Sequence, residues 1–273
     1  MIEVFSEVAK DDKSVEDLKT WLLKNKQTNA WKTTKATASA VYALLMNGQN
    51  WIAEDKKVKI TIGNKPLDLT KIPQEEGSGY FKTSFFENGK SKVEDVLSLG
   101  KIKVENPNKV PVWGAAYWQY FENLDKIKDF KETPLTIKKQ LFRQENSDKG
   151  LIMKPLDEKT KLAPGDKLKV RIELRVDRDM EYVHMKDARA AGFEPTNVLS
   201  QYKYQGGLGY YESTRDAATN FFFDYLPKGT YVFEYPLVIN HKGDFSNGIT
   251  TIQCMYAPEF SSHSEGVRVK VGE

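Results

Sequence analysis

The sequence predicts a mainly β protein with a helical segment at its N-terminus, and three patterns carry that expectation. Apolar residues in the first fifty positions recur three and four apart. From Trp51 onward the period shortens to two. Beyond Pro134, "DKLKVRIELRVDR" alternates Leu168, Val170, Ile172, Leu174 and Val176 toward one face, with turn signals at 163–166, 206–207, 227–229 and 242–244. Regular strands between regular turns predict a two-sheet sandwich of about seven strands.

In chain order, Ser14 is the expected N-cap of a first helix, with Asp17 three positions on; Val15, Leu18 and Leu22 follow at helical spacing and Trp21 widens the apolar face. "KTT" at 32–34 opens a second helix whose Ala36, Ala40, Ala43 and Leu44 share a face narrow enough for a neighbouring helix, and Gly48 supplies a stop. The face containing Leu18, Leu22, Ala40 and Leu44 is expected to pack on the β region or on a second copy of the chain. Val58, Ile60 and Ile62 then alternate with polar residues up to Gly63-Asn64, a hairpin signal. Further strands are expected in "GYFKTSFF" before Glu87-Asn88-Gly89, in "GKIKVEN" and in "VPVWGAAYWQYF". The charged stretch 122–134, ending in Pro134, is the expected inter-domain linker.

Composition bounds the function. At 273 residues the chain is long enough for two compact units and an accessory piece. The 41 Lys and Arg against 38 Asp and Glu leave a net charge of +3 with both signs interleaved, which argues against nucleic acid as a partner. No apolar run approaches the roughly 18 residues that would cross a bilayer, and the acidic start "MIEVFSEVAKDDK" does not read as a signal peptide. Helix-like sequence directly after Met1 leads to the expectation of a piece cut from a longer protein.

The chemistry-bearing residues are few. Cys254, the single cysteine, lies in "TTIQCMY", where period two groups it with Ile252 and Tyr256 on a core-type face; His263, nine residues on, follows a Pro-containing turn. An inert structural thiol is expected. His184, His241 and His263 lack local partners at metal-ligand spacing, so no metal site and no cofactor are expected. Asp177 and Asp179 are expected to end a strand and meet Arg175 or Arg178, and the glycines Gly206, Gly207 and Gly209 to form a hairpin rather than a phosphate cradle. The many tyrosines and tryptophans admit a second reading, a cell-surface adhesion or glycan-binding sandwich that would display a row of exposed rings on one sheet.

Four stretches carry a family resemblance. "LKTWLLKNKQTNAWKTTKATASAVYALL" resembles the closing helices of the thioester (α/α toroid) domain of bacterial α2-macroglobulin-like proteins. "RVDRDMEYVHMKDARAAGFEP" and "YYESTRDAATNFFFDYLPKGTYVFEYPL", with "CMYAPEF", resemble their last macroglobulin-like domain. The resemblance implies closing toroid helices over 1–50, a CUB-like β segment over 51–130 and a C-terminal macroglobulin-like β-sandwich over 131–273. It also implies a non-enzymatic part of an envelope protease inhibitor, periplasmic or in the cell envelope. Its implied partners are the parent's upstream domains and, through the parent, target proteases, with membrane contact only through a lipid anchor outside this chain. Members use a Cys-x-Glu-Gln thioester to acylate the trapped protease; here the cysteine reads Cys254-Met255-Tyr256-Ala257, so this chain holds no such bond. The role left to the last domain is to shield the thioester from water, and Met255 and Tyr256 are the residues expected to do it.

Overall fold

The computed structural model describes residues 1–51, 57–76, 79–87, 90–91, 96–108, 110–148, 150–157 and 160–272. They divide into two units, one formed by 1–23 and 31–116, the other by 24–30 and 117–273.

The first unit begins with a helical turn and a π-turn, closed by Lys10 at φ 53°. Helix α1, Asp12–Thr28, therefore restarts two residues later, and its cap is Asp11 rather than Ser14. The Asp11 carboxylate accepts from the Ser14 N–H at 3.1 Å and the Ser14 hydroxyl at 2.6 Å, and these bonds, the hydroxyl's first, hold its pKa below the ordinary carboxylate value. Helix α2, Thr34–Met46, opens on Thr33, whose hydroxyl accepts from the Ala36 N–H at 3.1 Å, as the "KTT" signal predicts. Gly48, at φ 66°, turns the chain back onto α1. A Cβ there would collide with the Glu16 carboxylate and lie 2.8 Å from Val15, so the stop requires glycine both for its φ and for the close approach.

Fully buried Lys19 organises this corner. Its ammonium donates to the Asn47 and Gln49 carbonyls at 2.9 and 2.7 Å and sits 4.5 Å from the Trp51 ring centroid, while Glu16 accepts from the Gln49 N–H and the Trp51 indole. Val15 and Ala40 are buried, and Leu18, Leu22 and Leu44 are partly covered. The unpartnered apolar stripe lies elsewhere on α2 than expected: Val41, Tyr42, Leu45 and Met46 are exposed beside Trp31.

Strands β1 (Lys59–Ile62) and β2 (Lys65–Pro66) form the predicted hairpin around Gly63-Asn64. A two-stranded pair, β3 (Phe86–Glu87) and β4 (Lys90–Ser91), stands apart, and β5 (Ile102–Glu105) joins β1 on its other side. The Asn88-Gly89 turn lies outside the described residues. Two expected strands are not strands: in "GYFKTSFF" only Phe86 pairs, and 111–123 has no regular structure. Period two and aromatic content favour a strand only where a neighbour supplies the ladder. Trp113, Tyr117, Tyr120 and Phe121 are all exposed instead.

The second unit holds the large core. Its first sheet is built on β6 (Leu135–Ser147), β7 (Gly150–Pro155), β8 (Lys167–Val176), β10 (Phe193–Pro195) and β14 (Gly229–Ile239), in the order β10-β14-β8-β6-β7. The second uses β9 (Met180–Ala188), β11 (Gln201–Gln205), β12 (Leu208–Thr214), β13 (Ala218–Leu226), β16 (Thr250–Cys254) and β17 (Ser261–His263), in the order β11-β12-β13-β9-β16-β17. β15 (Gly243–Ser246) and β18 (Arg268–Val271) pair separately. Among the described residues the sandwich thus has more strands than the seven expected, because short strands such as β10, β11 and β17 are too brief for alternation to reveal them.

Register explains the core. Leu168, Val170, Ile172, Leu174 and Val176 all point inward as predicted and pair across β14 with Leu237, Tyr235, Phe233, Tyr231 and Gly229. Phe221, Phe223 and Tyr210 of the facing sheet meet Phe233 at ring-centroid distances of 5.3 to 5.6 Å, geometry that favours tilted and edge contacts over flat stacks. Charged side chains also occupy inward positions, and one pair of them joins the two sheets. Lys139, between Ile137 and Leu141 on β6, meets Asp187 of β9 at 2.6 Å, both fully buried. The carboxylate also accepts from Thr250 of β16 at 2.7 Å and from the Tyr235 hydroxyl of β14, while Lys139 donates to the Ala188 carbonyl at 2.7 Å. Burial first, then the Asp187 charge, pushes the Tyr235 hydroxyl pKa well above its ordinary value.

The end of the stretch expected as the inter-domain linker is hydrogen-bonded to β17. Phe130 exchanges bonds with the β17 edge, its N–H donating to the His263 carbonyl at 3.1 Å and its carbonyl accepting from Ser262 at 2.6 Å. Thr133 donates to the Ser261 carbonyl at 2.9 Å.

Candidate functional site

The candidate residues Met255 and Tyr256 follow β16 directly. The strand is anchored: Thr250, Ile252 and Cys254 are buried, and β16 pairs with β9 from Thr250↔Asp187 to Cys254↔Val183. The chain then turns. The Ala257 and Phe260 N–H groups donate to the Cys254 and Ala257 carbonyls, and the Cys254 N–H donates to the Phe260 carbonyl at 3.0 Å. Ala257 is buried and Phe260 packs against the core, with the Arg178 guanidinium 5.6 Å from its ring. Met255 and Tyr256 are what this turn leaves outside, 60% and 78% exposed. Tyr256, expected on the core face by period two, lies outside because the strand ends at Cys254.

Two elements adjoin the tip. Tyr182 of β9, 43% exposed, meets Tyr256 edge to face with ring centroids 5.2 Å apart, and its carbonyl accepts from the Met255 N–H at 2.9 Å. One residue before it, Glu181 accepts from the Ala30 N–H at 2.9 Å, so the segment 24–30 ends beside the same strand. The tip is therefore an apolar projection on a rigid strand.

The remaining candidates do not assemble into a catalytic group. The Cys254 thiol is buried and points to the Glu181 carbonyl at 3.5 Å. His263 pairs with Thr251, three positions back along β16 and so on the opposite face, and stacks on Phe130 with centroids 5.9 Å apart. His184 lies face to face with Phe222 at 4.6 Å and shares a 3.0 Å hydrogen bond with Asn220. Among the described residues, no three His, Cys, Asp or Glu side chains converge as metal ligands. Arg178 meets Asp177 at 2.9 Å as expected, but Asp179 does not meet an arginine. It accepts from the Lys228 N–H and the Tyr225 hydroxyl, both at 2.8 Å, and these bonds, the backbone one first, lower its pKa. Gly206 and Gly207, at φ 58° and 84°, make the β11–β12 hairpin.

The outer face of the second sheet does carry rings, each leaning on a neighbour. Tyr202 sits edge-on to Tyr211 at 5.0 Å, Phe222 and His184 turn their faces to each other, and Tyr204 lies against Gly209. Tyr202 and Tyr204 nonetheless remain 76% and 80% exposed.

Known proteins similar to this chain fall into a family match, solved structures and a curated relative. The family described as the bacterial alpha-2-macroglobulin MG10 domain matches residues 135–259, a span that includes the whole β6–β16 framework, Met255 and Tyr256. Trypsin-activated alpha-2-macroglobulin from Escherichia coli is 12% identical, covering 100% of this chain and 18% of that one, with a TM-score of 0.47. Salmonella alpha-2-macroglobulin reacted with methylamine is 16% identical over 54% of this chain and 10% of its own, with a TM-score of 0.42. A curated relative, Circularly permutated Ras protein 2 of Dictyostelium discoideum, is 21% identical over 91% of this chain. The chain spans 7% of that protein and well under half of those solved chains. Residues 135–259, the bulk of the sandwich, thus match the bacterial alpha-2-macroglobulin MG10 domain family.

Proposed function

We propose that this chain is a non-catalytic region of a bacterial envelope protease inhibitor and that Met255 and Tyr256 form the cap that keeps water from the parent's thioester. Residues 1–50 would be the closing helices of the thioester domain, 51–130 a CUB-like segment and 131–273 the last macroglobulin-like domain, in a periplasmic or envelope-bound parent that meets proteases. One observation carries the reading: two large apolar side chains stand exposed side by side while the residues flanking them, Cys254 and Ala257, are buried. A thioester endures only where hydrolysis is kept out, and an apolar cap on a stiff mount excludes water while remaining separable. Solved relatives described as activated by trypsin and as reacted with methylamine are consistent with such chemistry in the parent.

The test uses the longer protein. Met255→Gly and Tyr256→Gly should each speed methylamine-driven thiol release several-fold, and the pair together more. Wild-type rates in both variants would refute the cap.

A further inference from the structure

We infer that Tyr182 is a positioning residue for Tyr256, holding the tip through a left-handed backbone that its own side chain opposes. Among the described non-glycine residues only Lys10 and Tyr182 have positive φ, 53° and 56°. Lys10 ends a helical turn, where that conformation is common. Tyr182 lies within strand β9, where a bulky residue at such an angle is an outlier that persists only when its surroundings impose it.

The surroundings are visible on both sides. Val183, which follows, is buried and pairs with Phe223 of β13 and Cys254 of β16; Glu181, which precedes, pairs with Tyr225 of β13. The Glu181 carbonyl receives the Cys254 thiol at 3.5 Å and the Tyr182 carbonyl receives the Met255 N–H at 2.9 Å. The left-handed step thus sits where β16 leaves the sheet. It keeps the last ladder bond to the departing strand and leaves the Tyr182 ring edge to face with Tyr256, at an interplanar angle of 86°. Edge-to-face contact orients a ring more strictly than apolar burial alone. A side chain as exposed as Tyr256 would otherwise sample its rotamers freely. Its purpose rests on the cap reading; the geometry does not.

The test is NMR on this chain with assigned Tyr256 ring and Met255 methyl signals. In Tyr182→Gly, which suits positive φ and lacks the ring, the Tyr256 ring signals should move to the values of a mobile, solvated tyrosine while Tm stays level or rises. Tyr182→Phe should keep the wild-type signals. If the glycine variant fails to fold, Tyr182→Asn, which also tolerates the left-handed region, is read in the same way. Unchanged Tyr256 signals in the ringless variant, or equal loss in the phenylalanine variant, would overturn the positioning role. Those outcomes leave the methylamine result untouched, whereas normal methylamine rates in the tip variants would remove the cap and leave the Tyr182–Tyr256 contact standing.

Discussion

The Cys254 thiol is fully buried, directed at a backbone carbonyl and separated by the strand itself from the imidazole nearest in sequence. Asp179 shows a different use of an acidic residue, closing the β13–β14 turn through the Lys228 N–H and the Tyr225 hydroxyl. Because folding lowers its pKa, its contribution is complete above the unfolded value near 3.9 and is lost as pH falls through the lower folded value. The difference in Tm between wild type and Asp179→Asn should therefore be constant from about pH 5 to 7 and narrow below about pH 4. A difference that widens on acidification would place the stabilisation elsewhere. Cys254's burial was legible from the Ile252, Cys254 alternation. The partner of Asp179 was not, since it depends on a turn 49 positions away, and nothing in a tyrosine announces the left-handed backbone of Tyr182.

Strands of the two sheets are joined in the core by charge as well as by apolar contact. Lys139 shares a row with Ile172 and Phe233, and Asp187 approaches it from the facing sheet. Removing one member of a buried pair leaves the other charge desolvated, at a cost of roughly 3–5 kcal/mol, whereas removing both costs less than the sum. Urea unfolding of Lys139→Met, Asp187→Asn and the double variant should therefore give strongly non-additive losses. Additive losses near 1 kcal/mol each, the size of an ordinary hydrogen bond, would mean that the pair is not coupled. The sequence does carry a trace of this clasp, because each charge interrupts an apolar alternation: Ile137, Lys139, Leu141 on one strand and Val183, Met185, Asp187 on the other. Opposite charges in inward slots of two strands are a pairing signal that strand-by-strand reading passes over. The failed strand over 111–121 has the converse cause. Its aromatic residues suit a sheet, but a sheet is a property of two segments, and no partner is in place among the described residues.

At the scale of the molecule, the second unit holds a deep core, whereas among the described residues of the first only Val15, Ala40 and Leu99 are buried apolar side chains. The sandwich class was legible because its long central strands repeat the same alternation over about ten residues; the bonding of Phe130 and Thr133 to β17 was not, since charge and a terminal proline look alike in a free linker and in a bound one. We propose that the well-mounted sandwich presents Met255 and Tyr256 as a removable cap. Peroxide oxidation of Met255, followed peptide by peptide in a mass spectrometer, measures that directly, because the side chain is open to solvent in this chain. Met255 should oxidise quickly in the isolated chain, slowly in the intact longer protein, and quickly again once that protein has been activated by a protease. Equal rates in all three states would contradict the claim.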